Sequence, residues 1–214
     1  MSHKPTLPTG LYALVDDSLR PAAELLEVVR ALVRAEVRVL QLRLELTPDR
    51  PALELVRQAV AVAGSHTAVI VNDRVDLALA AGAAGVHLGD DDLPVDVARR
   101  LLGPGALIGA TTRSLAEIER AKAQGADHVG LGPIFTTTTK QLAHPPLGLE
   151  GFAAICARSP LPVVGIAGIT VETIGAVAKA GAHAAAVGSD LLKASDVEAR
   201  ARTLQTAFAS GRAN

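Results

Sequence analysis

The stretch AKAQGADHVGLG at residues 121–132 decides how the whole chain is read. Its first half closes a run with helical spacing, Gly125 stands where a helix C′ glycine belongs, and HVGL has the length of a short buried strand. Related stretches stand at 80–88, AAGAAGVHL, and at 178–188, AKAGAHAAAVG. There Gly82 and Gly181 hold the same place between a helical run and an apolar one. Repetition of one helix–turn–strand segment is what a chain of equivalent βα units shows.

Working outward, eight short apolar runs recur: Leu11–Val15, Val37–Leu42, Ala68–Val71, Gly85–Leu88, Leu107–Ala110, His128–Leu131, Pro162–Ile166 and Ala184–Val187. They are mostly continuous in apolar residues, as parallel strands covered on both faces should be. Helically spaced stretches such as Ala22–Val33, Ala52–Ala63 and Leu115–Gln124 lie between them. No linker or low-complexity tract divides the 214 residues. The expectation is one α/β domain over residues 1–214, a single (β/α)8 TIM barrel spanning roughly 11–210 with short tails, its chemistry on the loops after the strands.

Composition narrows the function classes. Hydrophobic residues make up 49% and charged residues 20%, with a net charge of -1. There is no basic run, and aromatics at 2% leave little to stack on bases, so no nucleic-acid partner is expected. The N-terminal MSHKPTLPTG lacks a signal peptide's apolar core and no apolar run spans a bilayer, so no membrane partner and a cytoplasmic location are expected. The lone Cys156 has no intrachain disulfide partner and reads as an inert buried thiol. A homo-oligomer is compatible with the sequence.

Polar side chains gather directly after the strands. Gln41 and Arg43 follow the second, Asn72-Asp73 the third, Asp90-Asp91-Asp92 the fourth and Thr111-Thr112-Arg113 the fifth. After the sixth comes Gly132-Pro133-Ile134-Phe135 with Thr136 to Thr139 and Lys140; Gly168 follows the seventh, Gly188-Ser189-Asp190 the eighth. Asp73 and Asp92, on neighbouring strand ends, have the chemistry to hold one Mg²⁺; the competing reading makes them caps of the helices that follow. The threonines and Lys140 offer donors to phosphate, and glycines on the last two loops suit a phosphate against bare backbone. The histidines form no zinc or catalytic-triad arrangement: His87 reads as a packed inter-strand residue, His128 as structural, and His66 and His183 as turn residues.

Taken together, Gln41-x-Arg43, Asn72-Asp73-Arg74, Val86-His-Leu-Gly89 with Asp92, Gly-Pro-Ile-Phe with Thr137-x-Thr139-Lys140, and Pro-Leu-Gly-Leu-Glu150 resemble the thiamine phosphate synthase family, from Leu11 to about Ser195. The resemblance implies a transferase of thiamine biosynthesis with small phosphorylated substrates. It joins a hydroxymethylpyrimidine pyrophosphate to a hydroxyethylthiazole phosphate, giving thiamine phosphate and pyrophosphate. It also implies Mg²⁺ on Asp73 and Asp92, with Arg43, Asn72 and Lys140 on the pyrophosphate and Gln41 and Thr111 near the pyrimidine. Thr137, Thr138, Thr139, Gly168, Gly188 and Ser189 would hold the thiazole phosphate, and Thr111, Lys140 and Arg43 would carry the chemistry.

Three positions depart from the family's pattern. Glu45 stands where lysine is usual in the pyrophosphate site, Asp90 where glutamine is common, and Thr111-Thr112-Arg113 where the family has serine, threonine and histidine. One expectation is that Arg113 replaces the charge lost at Glu45. Two other readings follow from the departures. One is the sister thiazole tautomerase, which forms no C–N bond; the other is a non-catalytic barrel that keeps the phosphate pocket.

Overall fold

A computed structural model of the protein describes residues 6–136 and 145–213. Eight strands, β1 (Gly10–Asp16), β2 (Val39–Arg43), β3 (Ala68–Asn72), β4 (Gly85–Leu88), β5 (Leu107–Thr112), β6 (His128–Leu131), β7 (Val163–Gly165) and β8 (Ala184–Val187), close into a barrel in sequence order. All pairings are parallel, and β1 returns to β8. The helices between them are α1 (Ala22–Arg34), α2 (Asp49–Ala63), α3 (Val75–Ala81), α4 (Val95–Leu102), α5 (Leu115–Gln124), α6 (Gly148–Cys156) and α7 (Ile174–Lys179). The short α8 (Ser189–Leu192) and the long α9 (Val197–Ala213) close the order. The closed eight-stranded parallel barrel matches the expected fold. Among the described residues no helix is long and apolar enough to cross a membrane.

The alternation of each strand builds two cores. One face of β1 and β2, with Leu11, Ala13, Val15, Leu40 and Leu42, joins the large cluster between barrel and helices. The other face supplies Tyr12 and Val39 to a smaller cluster with Ile70, Leu107, Val164, Ala184 and Ala186, which fills the barrel. Both faces are apolar low in the barrel, which is why the runs read as continuous. Helix α1 shows the covering layer. Leu25, Val28, Val29 and Leu32 recur at helical spacing, each 3% exposed or less. Burying each is worth roughly 1.5–3 kcal/mol. Gly125 ends α5 at φ 99°, in the left-handed region the sequence predicted for it.

Two local devices shape the loops that matter below. Ser114 caps α5 by accepting from the Glu117 backbone N–H at 3.3 Å, while the Glu117 carboxylate accepts from the Arg113 N–H at 2.6 Å. This reciprocal box fixes the chain as it leaves β5. On the other side, the Asp17 carboxylate accepts from the N–H groups of Glu45, Leu46 and Thr47 and from the Thr47 hydroxyl, at 2.8–3.1 Å. One buried acid thus holds the whole turn after β2.

Candidate active site

The inward positions turn polar towards the C-terminal ends of the strands and open into a cavity of about 520 Å³. Gln41, Arg43, Glu45, Asn72, Asp73, Asp92, Thr111, Gly168, Gly188 and Ser189 all line it. Thr137, Thr138, Thr139 and Lys140 lie outside the described residues.

Asp73 follows β3 in the left-handed conformation, φ 61°, which short polar side chains tolerate better than most. Its N–H donates to the His87 carbonyl at 2.8 Å, and the Asn72 amide donates to its Oδ2 at 2.7 Å. Its carboxyl group hydrogen-bonds with that of Asp92. Burial, then the bond and charge of Asp92, push Asp73 up to about 7; Glu45 adds to the rise and Arg43 opposes it. Asp92 accepts from the Gly89 N–H at 2.6 Å, closing the loop after β4. Neither acid is a helix cap: Arg74 and Pro94 hold the cap positions of α3 and α4, without a side-chain cap bond. Among the described residues no three His, Cys, Asp or Glu side chains cluster as metal ligands, so the candidate ion site is this two-carboxylate pair.

Arg43 sits between two acids. Its Nη1 donates to Asp16 Oδ2 at 2.8 Å and its Nη2 to Glu45 Oε1. Asp16 also accepts from the Ser18 N–H and hydroxyl at 2.8 and 2.6 Å. Asp16 and Asp17 are residues the sequence reading missed. The signal was present, two acids directly after an apolar strand, the same kind of signal that singled out Asp90 to Asp92.

Arg113 donates to Asp90 at 2.6 Å. The expectation that it offsets Glu45 therefore fails on charge: the acid introduced at position 90 neutralises it, and Glu45 spends its own charge on Arg43. Two of the three departures from the family pattern are partners of one another.

The floor is neutral. Gln41 donates to the Tyr12 hydroxyl at 2.9 Å, and His87 Nε2 lies 3.1 Å from Thr111 Oγ1. Burial drives His87 down to about 4 against a weaker upward pull from Asp92. His87 is thus a cavity residue as well as an inter-strand one.

The two glycine loops differ in why they are glycine. Gly168 has φ 69°, and a Cβ there would lie 2.5 Å from the Thr136 carbonyl oxygen, so the fold itself demands it. Gly188 has an ordinary φ of -112°, and a Cβ would meet only the Leu14 and Leu19 side chains at 3.5 Å or more. Nothing in the protein requires Gly188, which leaves bare backbone facing the cavity.

The family model described as thiamine monophosphate synthase matches residues 11–191, nearly the whole barrel. The chain belongs to the thiamine monophosphate synthase family. It is 52% identical over 210 residues to the thiamine-phosphate synthase of Myxococcus xanthus, covering 98% of this chain and 96% of that one. It is 50% identical over 204 residues to that of Anaeromyxobacter dehalogenans, covering 95% and 90%. Among solved structures, the thiamine phosphate pyrophosphorylase of Pyrococcus furiosus superposes with a TM-score of 0.85 at 32% identity, covering 95% of this chain and 96% of that one. The matches run the length of the barrel.

Proposed function

We propose that this protein is a cytoplasmic thiamine phosphate synthase, joining an aminopyrimidine methyl pyrophosphate to a thiazole phosphate with release of pyrophosphate. The observation that carries the reading is the meeting of Asp73 and Asp92, from two strand ends, beside Arg43 and Asn72 in one cavity. Two carboxyl groups close enough to hydrogen-bond fit a Mg²⁺ site, because that ion takes one or two carboxylates and completes its shell with water and phosphate oxygens. Bound there with substrate, Mg²⁺ would neutralise charge on the departing pyrophosphate.

The chain's own groups have distinct tasks in this scheme. Arg43, with Asn72 and Lys140, holds the pyrophosphate as the methylene C–O bond breaks and both electrons leave with oxygen. Gln41 and Thr111 hold the pyrimidine, whose ring spreads the positive charge left on the methylene. Gly168, Gly188 and Ser189, with Thr137 to Thr139, hold the thiazole phosphate so that the ring nitrogen's lone pair faces that carbon and forms the new bond. No side-chain nucleophile is needed, in keeping with a floor of neutral hydroxyl, amide and imidazole groups.

The test is pyrophosphate release and thiamine phosphate formation from the two substrates, with Mg²⁺ and with chelator. Product that depends on both substrates and on the metal is expected. Thiazole phosphate turnover without pyrophosphate release would point to the tautomerase. Binding without any turnover would point to a non-catalytic barrel.

A further inference from the structure

Gly188 and Ser189 stand at the start of α8, a single helical turn after β8 that is too short to hold its own geometry. Charged side chains reach it from two sides. From α9, the Arg200 guanidinium lies 3.8 Å from the Asp190 carboxylate, beyond hydrogen-bond length. From the turn after β1, Arg20 donates through Nε to the Leu192 carbonyl at 2.5 Å and through Nη2 to the Ala194 carbonyl at 2.8 Å. The Arg20 side chain is only 25% exposed, so both bonds are made largely away from water. Leu191 and Leu192 bury α8 against the core, but apolar contact is not directional. The orientation of α8 comes from the fork of Arg20.

The same turn meets the other end of α8. A Cβ at Gly188 would lie 3.7 Å from the side chain of Leu19, the residue before Arg20, and Leu19 lines the cavity. The turn is itself tied down. The N–H groups of Leu19 and Arg20 donate to the Asp16 carbonyl at 3.1 and 3.2 Å. The Asp16 carboxylate accepts from the Ser18 N–H and hydroxyl and from Arg43. It therefore runs from the guanidinium assigned to pyrophosphate to the carbonyls that end α8.

We propose that Arg20 is a positioning residue for the thiazole phosphate subsite, and that the turn from Asp16 to Arg20 sets the spacing between the two anion subsites. A cation at the C-terminal end of a helical turn satisfies carbonyls that have no partner within the helix. A planar guanidinium fixes the turn in rotation as well as in depth, which the point charge of a lysine does not. Gly188 and Ser189 are thereby held at one height against the cavity, on a support shared with Arg43.

The inference rests on the proposed placement of thiazole phosphate at Gly188 and Ser189. Calorimetric titration of hydroxyethylthiazole phosphate into the substrate-free protein tests it. Arg20→Gln should weaken binding about tenfold, the scale of a lost charged hydrogen bond, and Arg20→Lys, which reaches one carbonyl, should recover part of the loss. In turnover the same factor should appear in the KM for thiazole phosphate. The KM for the pyrimidine substrate should stay at the parent value, because the Asp16–Arg43 pair does not use the Arg20 side chain. By NMR, the amides of Leu192 and Lys193, which donate to Gly188 and Ser189 at 2.8 and 3.0 Å, should exchange about tenfold faster in Arg20→Gln. Glu24→Gln removes the 3.5 Å ion pair with Arg20 and leaves both carbonyl bonds, so it should change neither readout. Thiazole phosphate affinity indifferent to Arg20→Gln, both substrates weakened alike, or Glu24→Gln matching Arg20→Gln overturns the positioning role. A parent protein that binds thiazole phosphate with this dependence on Arg20 yet releases no pyrophosphate overturns the synthase reading instead.

Discussion

Replacing Glu45 by glutamine and then by lysine tests whether this protein binds its pyrophosphate substrate against a charge handicap. Arg43 has both ends of its guanidinium group engaged, with Asp16 at 2.8 Å and with Glu45. The Asp16 side chain is 6% exposed and that of Glu45 47%, so the first pair is fixed and the second half in water. Glu45 also acts on Asp73, whose proton it helps to retain. An elementary charge about 4 Å away is worth roughly 4 kcal/mol at a surface-like dielectric and about 1 kcal/mol in water. Half exposure and salt screening place Glu45 near the lower figure. Glu45→Gln should then favour pyrophosphate binding by about 1–1.5 kcal/mol, a fall in the pyrimidine-substrate KM of roughly tenfold. Glu45→Lys changes two units of charge and should lower it by roughly thirty- to a hundredfold. The assay is steady-state KM for each substrate at saturating Mg²⁺, at low and at high ionic strength. The gain should shrink with salt and spare the thiazole phosphate. An unchanged or higher KM in both variants, or a gain insensitive to salt, would refute the charge argument and leave Glu45 as a strut for Arg43.

Gly188→Ala should fold as the parent does yet raise the KM for thiazole phosphate several-fold, because its methyl group meets only ordinary contacts in the protein; Gly168→Ala should lose about 2 kcal/mol or more in urea unfolding, from its left-handed φ and the Thr136 carbonyl. The two glycines behaving alike would void the distinction. Asp73 retains a proton in the fold that the unfolded chain releases at ordinary carboxyl pKa, so it lowers stability progressively as pH rises from 3.8 to about 7 and by its full amount above that. Asp73→Asn should therefore be more stable than the parent in chelator above that range, by about 1 kcal/mol after screening, and equal to it below pH 3.8. It should also lose the stabilisation that added Mg²⁺ gives the parent; an equal Mg²⁺ response would remove Asp73 from the ion site. Asp17→Asn leaves one acceptor oxygen to serve four donors, and should cost about 2 kcal/mol of stability and raise the pyrimidine-substrate KM alone. A thiazole phosphate KM that rose equally would mean that the turn after β2 serves the whole cavity.

The strands were readable because the lower barrel is apolar on both faces, and their ends were misjudged where that stops being true. The second strand was expected at Val37–Leu42 and runs Val39–Arg43; the first was expected to stop at Val15 and reaches Asp16. Asp16 and Arg43 are register partners, so the last rung of that ladder is made of charged residues. A rule that follows apolar runs ends one residue early at the positions that point into the cavity. The seventh run shrank to Val163–Gly165, where Pro162 has no N–H to extend the ladder. The candidate residues were legible because they follow strands, but their pairings were not. Arg113 meets Asp90 and Arg43 meets Asp16 across neighbouring strands, more than twenty residues apart in the chain. Which acid meets which base depends on register, and register is not written in any one loop. That is why a loop-by-loop reading lets Arg113 replace the charge lost at Glu45, although that charge is met by Asp90 on the adjoining strand end.

Register also divides the site by charge. Inward positions of β1, β2, β4 and β6 bring the neutral groups of Tyr12, Gln41, His87 and His128 to the floor, while the ends of β1, β2 and β3 present Asp16, Arg43 and Asn72, with Asp73 just beyond. A side chain one pleat further along faces a different solvent environment, so the barrel needs no separate domain to bind a flat neutral ring beneath a polyanion. The arrangement also constrains change. An ionised group at floor level would have to be buried without a partner, at a cost of several kcal/mol, whereas the rim tolerates exchange because a neighbouring strand can supply the counter-charge. Asp90 with Arg113 is such an exchange, two departures on neighbouring strand ends that keep the rim paired while the floor stays neutral.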